Sequence, residues 1–543
     1  MIAVEQPRRL RRTLLLGMAA APALGWTGCA SLRGFPSPEI GEEVPSDLRP
    51  ILAPPVVNKA PGAPKFVRDV HAHFFNARDV PVKGYLAGPV AHSKGRIVGE
   101  LLKALAPMAD WLASEAPSAF DEFQDLKNRA RAPQLMAMGS LSLQASLMAT
   151  RDEYVRNLSR RVYDKLKDNS EFTTRYNEAQ RASRSARTTQ GVVPLAVESL
   201  DEGSLERAMR RDRERSGLHV ESFEPGETPP YADGVLAFVG YMLSYRWMNL
   251  LAYQDAFTSG EGVFGVDEVY GALVDFDHWL TPPPARTAHE DQVKLHQLLS
   301  QLSAGYMRPL VAYNPWSAAR DNGRTLARVL EALDARGFVG VKIYPPNGFR
   351  PYGNALHGLS VPGAPTGREL DDALLQLWTK CADRGKPVMA HSGHSMGKDD
   401  AYEDMAGPIG WDDLLAVMSN QGKLPRVNAG HFGGDANTNT WTEDIARLMS
   451  KPEGAAMFAD LGYWDGLRCG GAAPACDATK RLAQVAKTHP IVAGRVMYGS
   501  DWLMLSQERR WDRFPFDVLN ATTSTFPDAN ALFGGNAKVC FGT

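Results

Sequence analysis

From Gly271 to the end of the chain, short apolar runs alternate with stretches of helical periodicity. Arg308–Tyr313 reads as a strand, and Leu326, Val329, Leu330 and Leu333 then recur at helical spacing before Gly337, a residue suited to ending a helix. Val339–Tyr344 is the next strand; Leu370, Leu374, Leu377, Trp378 and Cys381 form the following helical face, which ends near Gly385. Pro387–His391 is a strand, and three further alternations end near His431, Asp460 and Asp501. Upstream, Ala272–Asp277 and Phe66–His73 add two more strands. Strands alternating with helices predict an α/β fold with a parallel sheet. Eight such units predict a (β/α)8 TIM barrel, with a doubly wound open sheet as the alternative.

The first and second strands are far apart, and residues from about 80 to 265 do not follow the barrel pattern. Stretches such as Glu100–Leu105 and Tyr154–Leu158 are helical, so a large, mainly helical insertion is expected after the first strand. Ser183–Gln190 is polar and reads as a loop. Val235–Phe257 is apolar and aromatic and reads as a buried helix docking the insertion on the barrel; the insertion as a whole is expected to form a helical cap over or beside the barrel mouth, or an oligomer interface. Arg246 and Asn249 at its middle argue against a membrane span.

The N-terminal residues have a different pattern. Arg8, Arg9, Arg11 and Arg12 precede an apolar stretch from Thr13 to Thr27 that Pro22 interrupts. It is too short for a membrane-spanning helix, which needs ~20 apolar residues, and residues 1–29 read as an export signal. Arg11–Leu15 resembles a twin-arginine signal, and Trp26–Cys29 resembles a lipobox with Trp26 in place of the usual leucine. These features predict an exported protein of the bacterial envelope, touching the membrane only through a lipid on Cys29. Residues 30–65 are proline-rich and aperiodic, an expected tether; the barrel then occupies 66–543.

Composition adds little to this. With 44% hydrophobic and 22% charged residues and a net charge of -2, the chain lacks the basic footprint of a nucleic-acid binder. Of its five cysteines, Cys469 and Cys476 bracket a turn-rich loop that an exported protein can close with a disulfide. Cys381 and Cys540 sit in apolar settings and read as buried thiols.

The candidate chemistry lies at the strand ends, where barrel active sites form. His71 and His73 stand at positions i and i+2, on one face of the first strand. Lys342, His391, His431 and Asp501 end the fourth, fifth, sixth and eighth strands. His394 competes with His391 as a ligand, although His391 directly follows the apolar run. Individually, each of these has an ordinary structural explanation: Asp501 can cap a helix, and His431 can be hydrogen-bonded. Together, several imidazoles and one carboxylate suit a divalent metal, Zn²⁺ above all, with a position left for water.

These residues also resemble a family. Asp69–His73, Gly340–Pro345, Pro387–His391, Gly430–Gly433, Tyr498–Trp502 and Gly535–Ala537 resemble segments of the amidohydrolase superfamily, specifically its amidohydrolase-related group of metal-dependent hydrolases and nonoxidative decarboxylases. A histidine often stands in that family where this chain has Tyr344. The resemblance implies that His71, His73, His391 and Asp501 bind one metal ion and that His431 faces the substrate. A strand-four lysine such as Lys342 is carboxylated in some superfamily members and bridges two metals; in this group it more often stays free beside one.

The function expected first is hydrolysis of an amide, lactone or ester carbonyl in a small-molecule substrate. Metal-activated water would attack, Asp501 would move the proton, and His431 would donate a hydrogen bond. The alternative is nonoxidative decarboxylation of an aromatic or unsaturated acid, with Lys342 and Arg350 as candidates to hold the substrate carboxylate. A third reading, an inactive envelope binding lipoprotein, would require loss of ligands, and all the expected ligands are present.

Overall fold

The computed structural model describes residues 38–56, 58–87, 108–186, 235–258, 262–278, 286–435, 439–468, 477–508 and 510–542. Cys29, Cys469 and Cys476, with the expected export signal, lie outside these residues, as does Glu100–Leu105. The eight strands are β1 (Arg68–Ala72), β2 (Glu268–Ala272), β3 (Met307–Ala312), β4 (Gly340–Ile343), β5 (Val388–Gly393), β6 (Val427–Gly433), β7 (Met457–Asp460) and β8 (Val496–Met497). All seven neighbouring pairs are parallel, in chain order. The barrel closes through Val70 N donating to Tyr498 O (3.1 Å), Asp501 N to His71 O (2.6 Å) and His73 N to Trp502 O (2.5 Å). Closure therefore stitches the two strand ends that carry His71, His73 and Asp501 directly to each other.

The second strand lies earlier than the apolar pattern suggests. It is Glu268–Ala272, and only Ala272 of the expected Ala272–Asp277 run belongs to it. The ladder to β3 starts at Val269, and Gly271 allows the close approach of Phe74 and Met307, which a Cβ would meet at 3.2–3.4 Å. The apolar residues beyond the strand are buried for another reason: Val274 and Phe276 line the cavity at the barrel mouth.

Between β1 and β2 the described residues are mainly helical, including α1 (Ala119–Arg131), α2 (Ser140–Lys167), α3 (Ser170–Ala186), α4 (Val235–Met242) and α5 (Arg246–Phe257). Helix α3 extends into the segment expected as a loop, to Ala186. The single helix expected over Val235–Phe257 is two, separated at Leu243–Tyr245. No helix among the described residues is long and apolar enough to cross a membrane.

Six helices fill the remaining crossovers: α6 (His289–Leu302), α7 (Arg324–Ala335), α8 (Gly367–Asp383), α9 (Trp411–Asn420), α10 (Trp441–Met449) and α11 (Asp477–Thr488). Gly337 and Gly385 follow α7 and α8 with φ of 77° and 60°, the left-handed conformation that ends a helix. Val70, Tyr270, Leu310, Met389, Phe458 and Met497 form a cluster of their own with Ala537, Cys540 and Phe541. Side chains from six strands can meet in this way only inside the barrel, so this cluster fills the lumen under the site. Cys381 and Cys540 are buried free thiols.

The expected tether is not free in its described part. Ile40, Leu48, Ile51 and Leu52 are buried in the main core; Ile40 N donates to Asp291 Oδ1 (2.9 Å) and Leu52 N to Leu302 O (2.8 Å). The prolines deny it regular structure, but its apolar residues still bind it to α6.

Candidate metal centre

His71, His73 and Asp501 present three ligand atoms that all lie within 4.8 Å of one another. The Asp501 Oδ1 atom is 3.5 Å from His71 Nε2 and 3.2 Å from His73 Nε2. With metal–ligand bonds near 2.1 Å, neighbouring ligand atoms of a tetrahedral site stand roughly 3.4 Å apart, so the spacing fits a divalent ion.

The opposite ring nitrogens fix the tautomers. His71 Nδ1 donates to Asp460 Oδ1 (3.0 Å) and His73 Nδ1 to the Ala272 carbonyl (2.8 Å). Both acceptors can only accept, so both Nδ1 atoms carry protons and both Nε2 lone pairs are directed to the shared point. Burial, with Lys342 nearby, holds the His71 pKa well below the usual imidazole value. Burial opposes ionisation of Asp501, but the facing rings of His71, His73 and His431, when they carry a proton, outweigh it and lower the carboxyl to about 2. Neutral imidazoles and an ionised carboxylate are the donor forms a metal needs.

His391 lies outside this trio, beside His431, with His391 Nδ1 3.0 Å from His431 Nε2. His431 Nδ1 donates to Gly462 O (2.9 Å), and His391 Nε2 faces Gly393 O (3.1 Å). His391 Nε2 also lies 3.3 Å from Ser395 Oγ, which can donate to it, so His391 Nδ1 can donate to His431 Nε2 and hold the pair together. The His431 ring packs against His71 at 4.6 Å, centroid to centroid and tilted by 52°, which places this pair next to the trio. His394 is not an equivalent ligand, because its two nitrogens face Glu403 (3.1 Å) and Asp404 (3.3 Å).

Lys342 is buried, with its Nζ 3.4 Å from His71 Nε2; burial outweighs the attraction of Asp460 and Asp501 and lowers its pKa to about 8. It lies against His71 and does not line the cavity. Arg350 is the clearer departure from expectation. Its Nε and Nη1 donate to the carbonyls of His357 and Asp404, each at 2.8 Å, and it too is absent from the cavity wall. Neither residue is placed to hold a substrate carboxylate in that cavity.

The cavity has a volume of about 220 Å³ and reaches His73, His391, His431 and Asp501. One wall is an aromatic ladder: Phe75 meets Phe276 at 6.2 Å, and Phe276 meets Tyr344 at 5.6 Å, both edge to face. Tyr344 then meets His391 at 5.1 Å. His431, Tyr463 and Asp501, all at the mouth, have φ of 68°, 55° and 56°. Strained non-glycine backbone of this kind gathers where geometry matters for chemistry.

Two residues that hold the site together escaped the sequence reading as site residues. Asp460 receives His71, and Asp69 accepts from Ser500 N (2.9 Å), Ser500 Oγ (2.5 Å) and Tyr253 Oη (2.7 Å), tying β1 to the Asp501 turn and to α5. Burial raises the Asp69 pKa to about 6 against these hydrogen bonds. Asp69 lies two residues before His71, a spacing that was visible; its partners were not.

Residues 277–543 match the family model described as amidohydrolase. Among solved structures, the chain is similar to an uncharacterized TIM-barrel protein from Bordetella bronchiseptica (17% identity, 51% of this chain and 80% of that one, TM-score 0.34). It is also similar to a probable 2-pyrone-4,6-dicarboxylic acid hydrolase from Acinetobacter baumannii (12% identity, 59% and 92%, TM-score 0.28). A third is 5-carboxyvanillate decarboxylase from Novosphingobium aromaticivorans with bound manganese (15% identity, 51% and 78%, TM-score 0.32). No curated protein matches the chain. The family match begins after β2, so His71 and His73 lie outside it and are joined to it by the geometry of the closed barrel. Over residues 277–543, just under half of the chain, the sequence matches the amidohydrolase family.

Proposed function

We propose that the protein is a metal-dependent hydrolase, with Zn²⁺ as its ion, acting on an amide, lactone or ester carbonyl of a small, largely apolar substrate. The observation that carries this reading is the convergence of His71 Nε2, His73 Nε2 and Asp501 Oδ1 at an apolar-walled cavity. A bound divalent ion supplies Lewis acidity and lowers the pKa of water to about 7. Asp501, held ionised, accepts the proton as the carbonyl is attacked and returns it to the leaving group. His431 Nδ1 is committed to Gly462, which leaves Nε2 as the nitrogen that faces the substrate. Phe75, Phe276 and Tyr344 seat the apolar part of the substrate and exclude water. The cavity wall has no lysine or arginine among the described residues, which favours a neutral substrate over the carboxylic acid that a decarboxylase requires.

The test is metal analysis of the purified protein joined to a screen of lactones, amides, esters and aromatic acids, with CO₂ release scored separately. The expected result is one divalent ion per chain and hydrolysis that stops when a chelator strips the ion. A folded protein that takes up no ion, or one that releases CO₂ and hydrolyses nothing, overturns the reading.

A further inference from the structure

Asp460 is completely buried at the end of β7, and the hydrolytic steps make no use of it. A buried carboxylate is costly unless its oxygens are filled, and those of Asp460 are. Its Oδ1 accepts from His71 Nδ1 (3.0 Å), from the backbone N–H of His431 (3.1 Å) and from that of Gly462 (2.9 Å). Its Oδ2 accepts from Asn428 Nδ2 (2.8 Å). One carboxylate thus grips the side chain of one site histidine and the backbone of another. The His431 backbone is the strained one, with φ of 68°. The Gly462 whose N–H binds Asp460 also offers the carbonyl that orients the His431 ring.

We propose that Asp460 is the positioning residue of the metal centre. It sets the His71 tautomer, raises the donor strength of Nε2, and holds His431 in register with His71; Asn428 anchors it from below. This rests on the reading of His71 as a metal ligand. The argument is one of charge and direction. A carboxylate on the far nitrogen of a ligating imidazole keeps the proton there and pushes electron density toward the ligating nitrogen. A neutral amide in the same place would accept the same hydrogen bond without the charge.

The structure makes that substitution a clean probe. In Asp460→Asn the oxygen facing His71 is retained. The new amide N–H would face Asn428, whose Oδ1 is buried without a partner and can turn to accept it. Geometry is then preserved while the charge is lost. Zn²⁺ affinity of the full chain is measured by competition with a chromophoric chelator, alongside thermal unfolding of the apo-protein. The expected result is a Zn²⁺ dissociation constant raised roughly ten- to a hundredfold, with apo unfolding little changed. A dissociation constant within about threefold of the parent overturns the proposal and leaves the metal reading standing. A parent that takes up no zinc, manganese, iron or cobalt overturns both. If Asp460→Asn does not fold, the ¹⁵N-histidine spectrum of the unaltered apo-protein decides, with His71 identified by its loss in His71→Gln. A proton on Nδ1 with bare Nε2 supports the proposal, and the reverse tautomer overturns it.

Discussion

The His71 ring sits between three glycines. A Cβ at Gly462 would lie 2.6 Å from His71 Nδ1, one at Gly499 2.8 Å from its Cβ, and one at Gly430 3.2 Å from its Cε1. Glycine backbone lines three sides of the ring, with Lys342 and His431 packed against it, so a Cβ at any of these glycines would push the imidazole away from Asp501. Gly462→Ala is therefore expected to displace His71 and weaken metal binding at least as much as loss of a hydrogen bond, read by metal content after dialysis against a weak chelator. His71→Ala and Asp501→Ala are expected to abolish turnover with the fold intact; either purified variant working close to the parent rate would refute the assignment. At this scale the ligand types were readable, because an apolar run that ends abruptly in histidine or aspartate is unusual. The fate of Arg350 was not readable. An arginine near a strand end looks like an anion binder until the backbone carbonyls of His357 and Asp404 are found beside it.

Helix α5 shows what elements contribute. Its first residue, Arg246, is fully buried and donates to Asp79 through Nε (2.7 Å) and Nη2 (2.5 Å), and to Glu122 through Nη1 (2.8 Å). Asp79 follows β1 by a few residues, so this cluster welds α5 and α1 to the loop leaving His73. Burial alone would raise the Asp79 pKa, but the paired guanidinium holds it below its ordinary value; at Glu122 burial wins and the pKa rises. Arg246→Met would leave two buried carboxylates with no cation and is expected to cost about 3–5 kcal/mol in urea unfolding. A loss under 1 kcal/mol would show that the carboxylates find other partners. Helix α8 begins with a capping box, in which Thr366 and Glu369 satisfy each other's backbone N–H. Thr366→Ala is expected to cost about 1 kcal/mol by the same measurement. The break before α5 was hidden in the sequence, because an apolar segment buried on nearly all sides has no periodicity to interrupt.

Over the whole molecule, burial also shapes the response to acid. His296 on α6 is fully buried, and burial lowers its pKa to about 4 from an unfolded value near 6.5. Between those values the unfolded chain binds a proton that the folded chain refuses, so stability falls as pH drops through this window. The loss approaches about 3 kcal/mol at pH 4. His296→Gln is expected to flatten the dependence, compared by urea midpoints at pH 7 and 4.5; an equal drop in both proteins would assign the acid response elsewhere. The packing of 40–52 on α6 belongs to this scale too. Proline content excluded regular structure there, but only the assembled barrel supplied a surface for Ile40 and Leu52.

The chain's own pattern determined the order of strands and helices and the kinds of donor at the strand ends, because the periodicity that buries one face of an element is local. It could not determine which imidazole nitrogen meets which oxygen. Asp69 and Ser500 are 431 positions apart, and His71 and Asp460 are 389 apart. Their contacts exist only once eight strands close on themselves, and so does the direction of every lone pair in the site. Closure also decided that Asp460, in sequence an ordinary strand-end aspartate, faces a histidine instead of water.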